Sequence, residues 1–170
     1  MSPYVTGLLV RNECGAMGPS STAPADRWLV IQTASGAVIR VFDYTVLSNG
    51  LFLSEQPGIH EGQRYTFVIM PFGDHLENVA TATQPLEGPD VWQGTVVQAT
   101  WSLAQQEYLA VDPDYLETVL GILVETSIGQ LIVSHSLVND EDDRLRVGQG
   151  EVVRWENMRF DLIAVMKPVL

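Results

Sequence analysis

The sequence predicts a mainly β protein: two tandem, five-stranded small barrels packed together, with little helix. Three observations carry this expectation. Apolar runs are short and end at turns that hold glycine, as in short strands. One strand–turn–strand pattern occurs in each half of the chain. Of the connectors where a helix would fit, Leu47–Gly58, LSNGLFLSEQPG, is broken by two glycines and a proline, and Val138–Leu145, VNDEDDRL, is shorter still.

The elements follow in order. Tyr4–Arg11 around Gly7 opens the first half, and Val91–Trp101 around Gly94 opens the second. Hairpins come next, RWLVIQTASGAVIRVF over Arg27–Phe42 and GILVETSIGQLIVSH over Gly121–His135. Gly36 and Gly129 sit in their turns, where a left-handed backbone is required. Gly62-Gln63 then leads into RYTFVIM, and Gly148-Gln149 into GEVVRW. Closing strands are expected over Glu77–Thr83 and Arg159–Met166. The paired glycines lie 87, 93 and 86 residues apart, consistent with a duplication that has gained and lost loop residues. The domains are thus residues 1–84 and 91–170, with a linker at 85–90 inside the Pro- and Gly-containing QPLEGPD. Two short helices are expected, over Ser102–Leu109 and over Pro113–Val119 behind a cap at Asp112.

Each half resembles the OB-fold. The resemblance rests on a glycine in the first strand and on an apolar-x-x-Gly-x-x-apolar approach to the fourth. These approaches are Ile59-His60-Glu61-Gly62-Gln63-Arg64-Tyr65 and Leu145-Arg146-Val147-Gly148-Gln149-Gly150-Glu151. The second departs from the pattern, with Glu151 at the apolar position and Val152 after it. OB-folds bind ligands on the face of their second and third strands, so the resemblance implies a ligand face on the first hairpin.

Charge narrows the partners. The net charge is −12, with a single lysine, Lys167. Residues 1–87 carry 4 arginines against 8 acids; residues 88–170 carry 5 basic residues against 13 acids. Such a balance opposes loose binding to nucleic acid or anionic membrane. No apolar run approaches the roughly 20 residues of a membrane span, and Met1–Val10 does not read as a signal peptide. One cysteine, Cys14, excludes an internal disulfide and fits a reducing, cytoplasmic setting. It reads as a small loop residue.

Chemistry-bearing motifs are scarce. His60, His75 and His135 show no metal-ligand spacing, and no nucleophile elbow or phosphate-cradling loop occurs. Asn139-Asp140-Glu141-Asp142-Asp143 lacks the EF-hand glycine and distal glutamate and reads as a solvated turn. Asp112-Pro113-Asp114 reads as a helix cap. No catalytic residue, metal site or cofactor is therefore expected.

One constellation has a physical rationale. With a two-residue turn at Ser35-Gly36, Ile31 faces Arg40, Leu29 faces Phe42 and Arg27 faces Tyr44. That face displays Arg27, Arg40, Phe42 and Tyr44, opposite a core face of Trp28, Val30, Ile39 and Val41. Rings beside guanidinium groups suit single-stranded nucleic acid. A register shifted by one residue exchanges the faces; in the alternative reading Leu29, Ile31, Val38 and Phe42 are core and Arg40 reaches past the barrel end. The second hairpin lacks the pattern, offering Glu125, Ser127, Ser134 and Ser136. The four tryptophans, Trp28, Trp92, Trp101 and Trp155, read as core or inter-copy packing, and an exposed one would mark a partner site. The expected function is a non-enzymatic binding or assembly module for a protein partner or for self-association. The alternatives are a single-stranded nucleic acid binder, and an enzyme whose acid and base assemble only in space.

Overall fold

The computed structural model describes residues 4–14, 27–83, 85–102, 107–111, 113, 120–134 and 147–167. Nine strands run through them: β1 Val5–Cys14, β2 Arg27–Thr33, β3 Val38–Asp43, β4 Arg64–Asn78, β5 Val91–Ser102, β6 Tyr108–Val111, β7 Leu120–Thr126, β8 Gly129–Ser134 and β9 Val152–Met166. Among the described residues a 3-10 turn spans Leu53–Glu55, and Pro113 is helical. Among the described residues no helix is long and apolar enough to cross a membrane.

Five strands close a barrel. β1 pairs antiparallel with β2 and with β4, β2 pairs antiparallel with β3, and β4 pairs antiparallel with β9. The ring shuts where β3 runs parallel to β9, at Val41↔Phe160 and Phe42↔Asp161. Closure removes the exposed strand edges of an open sheet. The sheet continues from β9 through β5 and β7 to β8, with β6 paired to the far end of β9.

Here the sequence expectation needs revision. In the second half the expected fourth and closing strands are one continuous strand, β9; in the first half β4 runs on to Asn78, and the rest of the expected closing strand Glu77–Thr83 forms a turn. Both long strands have 15 residues. The two long strands pair with each other along their length, with bulges at Val68/Ile69, Phe72/Gly73 and Asp74/Glu77. The first barrel therefore takes its fifth strand from residues after 152. Bulges explain how such long strands bend round a small barrel without breaking. Of the expected helix over Ser102–Leu109, Ser102 ends β5 and Tyr108-Leu109 begin β6, and residues 103–106 lie outside the described residues. The helix over Pro113–Val119, beyond Pro113 itself, lies outside the described residues.

The pattern shared by the halves is carried by backbone pairing. Val5↔Phe67 in the first half has Trp92↔Trp155 in the second, and Leu8↔Gln32 has Thr95↔Glu125. Leu9 bonds Gln63 and Gly62 through its N–H and carbonyl, at 2.9 and 2.7 Å; Val96 bonds Glu151 and Gly150 in the same way, both at 2.8 Å. The counterpart of Gly62 is therefore Gly150, not Gly148.

Gly7 and Gly94 occupy one niche in each half. A Cβ on Gly7 would lie 2.7 Å from the Gln32 carbonyl oxygen and 2.7 Å from Ile31 Cγ2. On Gly94 it would lie 2.4 Å from the Glu125 oxygen and 2.4 Å from Val124 Cγ1. Strands cross that closely only without a side chain.

One apolar cluster runs through both halves. It joins Leu29, Ile31, Val41, Phe67 and Ile69 to Ile122, Val124, Val153 and fully buried Trp155. A second cluster gathers Tyr4, Val68, Trp101, Leu123, Ile132, Ile163 and Ala164. Two tryptophans are thus core residues, and Trp92 is half-buried with its ring edge-on to Phe160 at 5.0 Å. Trp28 alone of the four belongs to the open face described next.

Candidate functional site: an aromatic and arginine face on the closed barrel

The first hairpin sets the site through its turn. Thr33 N–H donates to the Ala37 carbonyl at 2.8 Å and Gly36 N–H to the Thr33 carbonyl at 2.9 Å. The loop is therefore three residues, Ala34-Ser35-Gly36, with Gly36 at φ +90°. A three-residue hairpin loop needs a left-handed residue at its third position, which glycine supplies without strain. The register moves by one from a two-residue turn, giving Trp28↔Phe42, Val30↔Arg40 and Ile31↔Ile39. Leu29, Ile31, Ile39 and Val41 consequently turn into the core, and Trp28, Arg40 and Phe42 turn outward, on the same side as Val30, which is buried.

Outside the barrel these side chains build a ladder of rings and guanidinium groups. The Arg40 Cζ lies 4.8 Å from the centre of the Trp28 ring. Trp28 meets Phe42 at 4.8 Å, and Phe42 stacks on Tyr44 at 5.5 Å with an interplanar angle of 21°. The neighbouring strands extend it. Phe72 of β4 is paired with Arg159 of β9. The Arg159 guanidinium sits between two rings, 4.6 Å from Phe42 and 4.4 Å from Phe72. Each such cation–π contact contributes on the order of 0.5–1 kcal/mol at an exposed site.

Carboxylates hold the cations. Arg159 Nε donates to Asp161 Oδ1 at 2.7 Å, and the Asp161 side chain is only 8% exposed. Burial raises the Asp161 pKa, and the hydrogen bond and charge of Arg159 oppose that rise. Glu13 of β1 meets Arg11 at 3.1 Å and Arg40 at 3.6 Å. Tyr44 and Phe72 remain 37% and 45% exposed, so flat apolar surface stays open beside ordered cations.

Of the residues expected to bind, Arg40, Phe42 and Tyr44 meet on this face and Arg27 does not. Arg27 Nη2 pairs with Glu55 at 3.0 Å, its Nη1 donates to Asn12 Oδ1 at 3.4 Å, and its Cζ lies 5.9 Å from the Phe52 ring. It anchors the connector after β3. That connector is also held by Asp43, which is fully buried and accepts the Ser54 N–H at 2.8 Å. Burial raises the Asp43 pKa, opposed by hydrogen bonds from Ser54 and from the backbone of Thr45 and Leu53.

Sequence reasoning assigned Trp28 to the wrong side and missed Phe72, Arg159, Glu13 and Asp161. Trp28 had a readable signal, since glycine third in Ala-Ser-Gly marks the three-residue loop. Phe72 and Arg159 had none, because only the pairing of two distant long strands brings them together.

The corresponding face of the second hairpin is closed. Its register is Leu123↔Ile132 and Glu125↔Gln130 about a two-residue turn, Ser127-Ile128, rather than the expected Ile128-Gly129. The counterparts of Trp28, Val30 and Arg40 are Gly121, Leu123 and Ile132. Leu123 and Ile132 are buried under Tyr4 and Trp101, whose rings meet edge to face at 5.4 Å.

Elsewhere the geometry is sparse. His60 and His75 are exposed, and His75 lies 3.7 Å from Asp74. Among the described residues no three His, Cys, Asp or Glu side chains are disposed to hold a metal ion. His135, Asp112, Asp114 and the acidic run 139–143 lie outside the described residues, as does the Cys14 side chain. No protein-family model, curated protein or solved structure matches the chain.

Proposed function

We propose that this chain is a non-enzymatic binding module that docks a protein partner on the outer face of its closed barrel. One observation carries the reading. Tyr44 and Phe72 are exposed and Trp28 and Phe42 half-buried on one half, with Arg40 and Arg159 ordered against the rings. The same face of the other half is sealed by the protein's own aromatics. Trp, Tyr and Arg dominate protein-binding hot spots because they bring large contact area and ordered donors at low entropic cost. The guanidiniums are already desolvated on one side and fixed, so little ordering remains for binding.

On this reading the chain is two OB-like barrels in tandem, supplied by residues 1–84 and 91–170, that exchange their long strands. The closed five-stranded ring and the shared pairing registers support it. β8 lies against β4, as β3 lies against β9.

Affinity purification from cells tests the function. Wild type should retain a partner that Arg159→Ala and Phe72→Ala lose, and the complex should re-form from purified components. Equal retention by both variants would exclude this face. A second reading, single-stranded nucleic acid, is favoured by the ring-and-guanidinium composition. It requires salt-sensitive binding of a labelled oligonucleotide that Arg40→Glu abolishes, and absence of binding at low salt would remove it.

A further inference from the structure

We propose that the open face takes an acidic, aromatic segment of its partner: a carboxylate that pairs with Arg40 and Arg11, next to a ring that settles against Phe72 and Tyr44. This rests on the docking reading above and names the chemistry of its partner.

The charges at Glu13 point to the carboxylate. One carboxylate serves two guanidinium groups, Oε1 to Arg11 and Oε2 to Arg40. Among the described residues, two positive charges share this one negative charge, so the pair is under-neutralised. The arginine side chains are 63% and 58% exposed, so their planar forks face solvent. Each fork has five N–H donors, and Glu13 reaches Arg11 at Nε and Arg40 at Nη2. A second carboxylate can bind such a fork side-on through both oxygens. Arg159 does not share this role, because Asp161 already holds it at 2.7 Å inside the ring sandwich. A nucleic acid would bring many phosphates toward a chain of net charge −12, whereas a short peptide need bring only the few carboxylates that this site accepts.

The closed half points to the ring. Where the equivalent face is covered, the cover is aromatic. Tyr4 lies edge to face with Trp101 over Leu123 and Ile132, and its carbonyl accepts the Gln130 N–H at 3.1 Å from the start of β8. On the open half, Phe72 and Tyr44 are partly exposed to solvent. A partner ring would supply there what Tyr4 and Trp101 supply intramolecularly.

Titration of the ¹⁵N-labelled protein tests the inference, using a peptide of alternating aspartate and tyrosine, the same peptide with lysine for aspartate, and oligothymidylate. The Asp–Tyr peptide should move the Trp28 indole signal and the amides of Arg40 and Phe72. Arg40→Glu should weaken it by roughly tenfold, as should Arg40→Gln to a smaller degree, both with the remaining spectrum unchanged. Equal binding of the Lys–Tyr peptide on the same signals would overturn the acidic chemistry while leaving a docking face. Silence with both peptides would overturn the inference, and the loss of partner by Phe72→Ala would still decide the docking reading separately. Tighter binding of oligothymidylate on these signals would replace a peptide partner with nucleic acid.

Discussion

Replacing Gly94 by alanine should destabilise the fold, and replacing Gly148 should not. The new Cβ at Gly94 would sit 2.4 Å from the Glu125 carbonyl oxygen and from Val124 Cγ1. A backbone oxygen cannot swing aside as a side-chain tip can, so β5 and β7 must separate. Overpacking of this kind costs about 1–3 kcal/mol, and a chain of this size loses about 2–4 °C of Tm per kcal/mol. The expected loss is about 2–12 °C. Gly7→Ala meets the same kind of neighbours at 2.7 Å and should lose less. At Gly148 the nearest atom is Glu151 Oε1 at 3.8 Å, so reduced unfolded-state entropy should raise stability by about 0.4–1 kcal/mol. Thermal melts by circular dichroism, with urea midpoints at constant m-value, measure all three. Stabilisation by Gly94→Ala and Gly7→Ala would refute the close crossing, and with it the equivalence of the two halves.

Other expectations follow from the same structure. Asp43 has its folded pKa raised by burial, so its contribution is present below the unfolded value and lost as pH rises through the folded one. Stability should therefore fall as pH rises from about 4 toward neutrality; Asp43→Asn should flatten that slope in urea titrations, and an unchanged slope would contradict the assignment. Arg159→Ala should cost about 1–3 kcal/mol, because it leaves buried Asp161 unpaired; a double variant with Asp161→Asn should recover part of this in a mutant cycle. Arg27→Ala should lower the urea-derived stability by about 1–2 kcal/mol without weakening partner binding. Arg40→Ala should do the reverse, since its side chain is 58% exposed.

Much of the fold was legible because its signals are local. Gly36 closes its turn at φ +90° and Gly129, at φ +130°, opens β8 directly after its turn, and the strands that flank the two turns lie where the apolar runs place them. Register was less legible, because Ser35-Gly36 and Ala34-Ser35-Gly36 both satisfy the local pattern and differ only by the three-residue loop. That single residue decides whether Trp28 or Arg27 joins Arg40. The long strands were illegible for a different reason. RYTFVIM, ending at Met70, and a closing strand from Glu77 read as separate strands, yet bulges carry β4 across the residues between them while β9 supplies the pairing. Phe72 and Arg159 belong to the site only through that non-local ladder, which no periodicity records.

Photo-crosslinking in living cells tests the central claim most directly. A photoreactive phenylalanine analogue would replace Phe72 on the open face, or Glu87 in the exposed stretch between β4 and β5. A discrete adduct from position 72, absent at 87 and lost when Arg40→Glu is added, is the expected result. Adducts of equal yield from both positions, or none from position 72 in cells that form the complex, would contradict a partner docked on this face.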